Sequence, residues 1–197
     1  MKSMVELSHT FLKDIIHPQS LLIDATLGQG KDALFFLQEH AGTIHAFEID
    51  EGIASEAEAF LKEQKRKQKE KEPFRKQSEV IVHACSHDTM EEVLASENRK
   101  ADGIIFNFGW YPKEADRCET RPETSARAVE QAIRLLRPKG RMALVFYAHA
   151  QGAQEQEAVL KMLEKHKNEL EIYKFQKVFA EDAPWLCLVS HKSTHRV

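Results

Sequence analysis

Leu21-Leu-Ile-Asp24-Ala-Thr-Leu-Gly28-Gln-Gly30 is the stretch that decides the fold. Three apolar residues, an acid and two closely spaced glycines read as a short buried strand running into a tight loop. Working outward, further apolar runs stand at Thr43-Ile-His-Ala-Phe-Glu48, Val80-Ile-Val-His83, Gly103-Ile-Ile-Phe-Asn107 and Met142-Ala-Leu-Val-Phe-Tyr147. Helical spacing fills the gaps between them. Leu7, Phe11, Leu12, Ile15 and Ile16 share one face before Pro18. Asp32–Glu39 reads as helix, Ile53, Ala57, Phe60 and Leu61 mark the next, and a short one lies near Glu91–Ala95. Val129, Ala132, Ile133 and Leu136 form another core face, closed by Arg137-Pro-Lys-Gly140, and Val159, Met162 and Leu163 form the last. Two strands near Ile172–Phe179 and Trp185–Ser190 have no helix between them, which predicts an antiparallel pair at one edge. The expectation is an α/β, doubly wound (Rossmann-like) sheet, mostly parallel with an antiparallel C-terminal strand and helices on both faces. The 197 residues fit one domain.

The composition excludes several classes. A net charge of -3 provides no global basic field, so contact with nucleic acid would need a local patch. Cys85, Cys118 and Cys187 are widely spaced and form no CxxC pair, which suits a reducing compartment and argues against a disulfide framework or a zinc ribbon. The beginning, Met1-Lys-Ser-Met-Val-Glu, has no apolar signal core, and no run approaches the roughly 20 apolar residues of a membrane span. The expected location is the cytoplasm, with no membrane partner.

In a doubly wound sheet a ligand lies beyond the carboxyl ends of the strands at the switch point. Gly28 and Gly30 stand there, where backbone without Cβ admits a close approach. Glu48 ends the second strand and can accept hydrogen bonds from two ribose hydroxyls. Gly28-x-Gly30-x-x-Ala33 also satisfies the loose dinucleotide pattern. Asp24 tilts the choice, because a carboxylate before the loop suits the cationic α-amino group of S-adenosylmethionine and would repel a pyrophosphate. Dehydrogenase chemistry is also missing. Tyr173-x-x-x-Lys177 has the spacing of a catalytic pair, but on a strand residues four apart are separated by about 13 Å.

Asn107-Phe-Gly-Trp110-Tyr111-Pro112 leaves the fourth strand and is similar to the Asn/Asp-Pro-Pro-aromatic signature of exocyclic-amine methyltransferases. Asn107 could accept a hydrogen bond from an amine and so aim its lone pair, while Trp110 could stack on a base or simply cover the sheet edge. Ser86 and His87 follow the third strand, where contact with the cofactor is expected, and Asp88 could cap the next helix. A metal reading of the His83–Asp88 run, where His, Cys and Asp cluster, is not favoured, since nothing fixes a fourth ligand. His149, past the fifth strand, is either a proton acceptor or a polar loop residue.

Together, Ile23–Asp32, Phe47–Asp50, Ser86–Asp88, Phe106–Pro112, Thr120–Thr124 and the Tyr147…His149…Gly152 loop resemble a small bacterial rRNA-methylase family. Its members act as tRNA 5-(aminomethyl)-2-thiouridine methyltransferases. The resemblance implies a class I methyltransferase, often a homodimer, that methylates the aminomethyl nitrogen of the wobble uridine in the tRNA anticodon. It also implies that Gln29, Asp32, Glu48, Asp50, Ser86 and His87 touch the cofactor and that Asn107 with Trp110–Pro112 forms the substrate edge. Gln29, Glu48 and Asp50 stand where Asn, Asp and Gln are commoner, with hydrogen-bonding capacity kept. Lys113–Asp116 lacks the usual glycines, and the His149 loop is one residue short. Other readings of the same chain are N-methylation of rRNA or a small molecule, and an RNA-binding module that has lost catalysis. Residues 62–77 hold eight Lys/Arg against three Glu and extend a helix beyond its apolar period; a solvated extension is favoured over a tRNA contact.

Overall fold

β1 (Leu21–Asp24) is buried at all four positions, which only a central strand covered on both faces allows. It lies between β2 (Thr43–Glu48) and β4 (Ala101–Phe108), parallel to both. The computed structural model describes residues 2–108, 121–147, 150–180 and 182–193. With β3 (Glu79–Ala84), β5 (Leu136–Phe146), β6 (Leu170–Phe175) and β7 (Trp185–His191), the strands form one seven-stranded sheet in the order β3-β2-β1-β4-β5-β7-β6. β7 pairs antiparallel with both β5 and β6, so it runs against the rest of the sheet and β6 forms the edge.

Alternation along the strands sorts the core into two layers. Ile104, Phe106 and Phe108 of β4, with Met142, Leu144 and Phe146 of β5, pack towards α5 (Pro122–Leu135) and α6 (Ala150–Lys165). Leu22, Ile105, Ala143 and Val145 point the other way, into the layer of α1 (Met4–Lys13), α2 (Lys31–Gln38) and α3 (Glu51–Lys71). Asn107, two residues beyond Ile105, therefore faces the α1–α3 side.

The elements agree with the sequence reading except at particular ends. α1 stops at Lys13, and Ile15 reaches the core from the turn that follows. β6 ends at Phe175 rather than near Phe179, whose φ of 59° and full exposure place it in a turn. α5 ends before Arg137 as expected, but Arg137–Gly140 bulges within β5 instead of preceding it: Ala101 pairs with Leu136 while Gly103 pairs with Arg141. α4 is a single turn, Met90–Val93, and Thr89 precedes it as cap. Asp88 is not the cap, because its carboxylate is drawn to Arg127 of α5 at 2.5 Å. Among the described residues no helix is long and apolar enough to cross a membrane.

Candidate active site

The chain leaves β1 towards β2 on one side of the sheet and enters β4 on the other, so the switch point lies between β1 and β4. The loop after β1 is tied to both neighbours. Ala25 donates its N–H to the Ile105 carbonyl and Leu27 donates to Phe47, each at 2.9 Å. Gly28 and Gly30 take φ of 48° and 76°, a left-handed backbone that side chains disfavour. Their surroundings differ. A Cβ on Gly30 would lie 3.5 Å from Leu61, whereas one on Gly28 would meet nothing within 4 Å, so Gly28 is the open point of the loop. Gln29, between them, is exposed.

Glu48 stands across from this opening. Its Oε2 accepts from the Gly28 N–H at 3.0 Å and its Oε1 from the Asp50 N–H at 3.1 Å. Asp50 in turn caps α3 by accepting from the Ile53 N–H at 2.9 Å. Each Glu48 oxygen retains a lone pair, and the side chain is only half-buried.

Asp24 sits behind the loop, with no exposed surface. Its two oxygens accept from the Thr26 and Ala33 N–H groups at 3.2 and 3.0 Å, joining the strand end to the first turn of α2. Burial, reinforced by the negative charges of Asp32 and Glu48, pushes its carboxyl well above the usual carboxylate range. The carboxylate expected to face a cationic group thus accepts one backbone hydrogen bond on each oxygen from a fully buried position.

Asp32 occupies the first turn of α2 and is also buried. One oxygen accepts from the Asn107 side-chain amide of β4, and the other lies 2.5 Å from His9 Nε2 of α1. Asn107 also donates its backbone N–H to Thr26 Oγ1 at 2.7 Å. Its Oδ1 is buried and has no hydrogen-bond partner among the described residues. Tyr147, just past β5, faces the same cluster; burial and the Asp32 charge raise the pKa of its phenol.

On the other side of the β1 loop, His87 lies edge-on to Phe106 and 3.2 Å from the Ala25 carbonyl through Nδ1. Nδ1 faces a carbonyl and is therefore the donor; burial lowers the pKa of the ring, and in the neutral ring the buried Nε2, without a partner among the described residues, is an acceptor. Ser86 caps the 3-10 turn His87–Thr89. The other members of the His83–Asp88 run diverge: His83 pairs with His45 at 3.0 Å and Thr89 donates to Cys85 Sγ.

The structure therefore gathers Gly28, Gln29, Gly30, Asp32, Glu48, Asp50, Ser86, His87 and Asn107 at one end of the sheet, with Asp24 beneath them. Trp110, Tyr111, Pro112 and His149 lie outside the described residues. His9 and Thr26 also belong to the site without having been singled out in the sequence, and Tyr147 was named there only as part of the loop that carries the resemblance. Thr26 lies within the glycine loop itself, and Tyr147 ends an apolar strand at the same level as Asn107, so both carried a positional signal. His9 carried a weaker one, as a titratable side chain on an otherwise amphipathic helix.

The family described as "Putative rRNA methylase" matches residues 44–190. The tRNA (mnm(5)s(2)U34)-methyltransferase, chloroplastic, of Arabidopsis thaliana is 31% identical over 166 residues, covering 80% of this chain and 58% of that protein. The chain thus spans somewhat over half the length of this curated relative. Among solved structures, a putative rRNA-methylase from Clostridium thermocellum superposes with a TM-score of 0.83 at 21% identity, over 98% of this chain and 99% of the other. A putative methyltransferase from Streptococcus mutans in complex with SAH gives 0.77 at 24% identity, over 98% and 99%. The chain belongs to the "Putative rRNA methylase" family and has the class I methyltransferase fold.

Proposed function

We propose that this chain is an S-adenosylmethionine-dependent N-methyltransferase whose substrate is the 5-aminomethyl group of 2-thiouridine at the wobble position of tRNA. The observation that carries this reading is the Asn107 carboxamide. Its nitrogen is committed to Asp32, and its oxygen is a buried acceptor beside the switch point with no donor among the described residues. A primary amine brings the N–H that this oxygen lacks. Accepting that N–H leaves the nitrogen lone pair free for an in-line displacement, a reaction that depends mainly on positioning. The Arabidopsis relative, a tRNA methyltransferase by name, supports an RNA substrate, and the anticodon region is the part of tRNA that this reading requires.

The residues at the crevice suit the cofactor. Gly28 leaves open space, Glu48 keeps lone pairs for ribose hydroxyls, and His87 Nε2, buried without a partner among the described residues, is an acceptor for an adenine amine. Gln29, Asp50 and Ser86 complete that edge. When bound, S-adenosylmethionine supplies an electrophilic methyl on a sulfonium. The protein's part is to hold the amine and to accept the proton it sheds after transfer, for which His149 is the candidate. Asp24 and Asp32 serve by shaping the loop and the Asn107 side chain.

Incubation of the protein with undermodified tRNA and labelled cofactor, followed by nucleoside mass spectrometry, tests the reading. A methyl gain on the aminomethyl nucleoside is the expected result. Cofactor binding without that gain would move the activity to rRNA or a small amine; no calorimetric signal with cofactor would leave a binding module.

A further inference from the structure

We propose that His9 of the N-terminal helix is a positioning residue of this site, acting through Asp32 to hold the Asn107 carboxamide with its oxygen towards the amine. The inference rests on the role given to Asn107 above. A carboxamide is nearly symmetric in shape, so its neighbours decide which end faces the substrate. Here the deciding neighbour is one oxygen of Asp32, which takes the Asn107 amide N–H. A carboxylate can itself rotate about its last bond, and its other oxygen is held 2.5 Å from His9 Nε2. His9 therefore sets the rotation of Asp32, and Asp32 sets that of Asn107.

His9 is well placed to do this because it is itself immobilised. Its ring stacks on Phe35 with centroids 4.0 Å apart and planes 3° from parallel. The helix that carries it is fixed at one end by the Ser3–Glu6 capping box. At the other end Arg141 Nη1 of β5 donates to the Phe11 carbonyl at 2.5 Å, and Leu12 is fully buried. The relay joins α1, α2 and β4 and ends on a site amide whose oxygen is buried and has no hydrogen-bond partner among the described residues. A simple brace between α1 and α2 would need Asp32 and His9 alone; the second contact, from Asn107 to Asp32, is what links the brace to chemistry.

The test uses the full chain with His9→Phe, which keeps the stack on Phe35 and removes the donor, and His9→Gln, which restores one. In 15N-labelled protein the Asn107 side-chain amide is identified by its loss in Asn107→Asp. The expected result is that the hydrogen-bonded amide proton moves upfield in His9→Phe and returns towards its wild-type position in His9→Gln. With undermodified tRNA and labelled S-adenosylmethionine, kcat in His9→Phe should fall on the order of 10–100-fold, as misplacement of a reacting group predicts. KM for the cofactor should stay within about threefold, and His9→Gln should recover most of the loss. An unmoved Asn107 amide in His9→Phe overturns the proposal, whatever the turnover. If the amide responds to His9 while the wild type leaves tRNA unmethylated, the substrate reading fails and the coupling of His9 to Asn107 stands.

Discussion

Glu48 reaches across the crevice to accept a hydrogen bond from the Gly28 backbone N–H at 3.0 Å, tying the end of β2 to the open point of the loop after β1. The same side chain would meet the ribose hydroxyls of a bound nucleoside. Loss of Glu48 should therefore remove both the loop's brace and its ligand. We expect Glu48→Ala to weaken binding of S-adenosylhomocysteine by about 1.5–3 kcal/mol, roughly tenfold to a hundredfold. Glu48→Gln keeps one acceptor and should fall between. Isothermal calorimetry measures all three; unchanged affinity in Glu48→Ala would place the ribose elsewhere.

Asn107 answers to a different measurement. Its side chain stands at the switch point, and among the described residues it hydrogen-bonds through its nitrogen and not its oxygen. Asn107→Ala should leave cofactor affinity within about threefold while removing most turnover, the pattern of an interaction made with the reacting group. Parallel loss of affinity and turnover would assign Asn107 to the cofactor pocket instead.

Much of this site could be read without coordinates because its parts follow strand ends. β1 and β2 begin and end where their apolar runs do, and the rule that ligands gather at carboxyl ends then points to Gly28, Glu48, Ser86 and Asn107. What could not be read depends on contacts without a local period. His9 meets Asp32 across 23 positions and Asn107 meets Asp32 across 75, and neither separation leaves a mark on helical or strand spacing. Asp24 shows the converse. Its position at the strand end was plain, but whether its carboxylate faces a ligand or the Ala33 N–H depends on how α2 turns after Gly30. The place of β7 between β5 and β6 was likewise hidden, since a hairpin signal does not say which of its strands joins the sheet.

The buried acids give a pH prediction with a definite sign. Burial and the Asp32 charge raise the Asp24 carboxyl above its ordinary value of 3.8. Between that value and the raised one, the folded chain binds more protons than the unfolded chain. The stability that Asp24 contributes is thus full below 3.8 and is lost as pH rises through the interval. Asp32→Asn removes one of the raising charges, so Asp24 should titrate closer to 3.8, and the Tyr147 phenol should titrate lower as well. Carboxyl 13C shifts and tyrosinate absorbance report the two groups separately. Identical titrations in both proteins would mean that the charges do not interact.

The basic run is helical as far as Lys71, and part of its charge is paired within the helix. Lys62 pairs with Glu58, Arg66 with Glu63 and Glu70, and Lys67 with Glu63. Gln68 braces the extension against α2 by donating to the Leu37 carbonyl at 3.1 Å. α3 begins at the crevice with Asp50 as its cap, so Lys69 and Lys71, 19 and 21 residues on from that cap, lie roughly 30 Å along the axis from it. Both lysines are exposed and have no ion pair among the described residues. If this half of the helix is a solvated face, the double substitution Lys69→Ala with Lys71→Ala should change unfolding free energy by no more than about 0.5 kcal/mol. It should also leave the salt dependence of tRNA binding unaltered. A fall in the slope of log K against log[salt] by about one for each lysine removed would instead make the extension a phosphate contact.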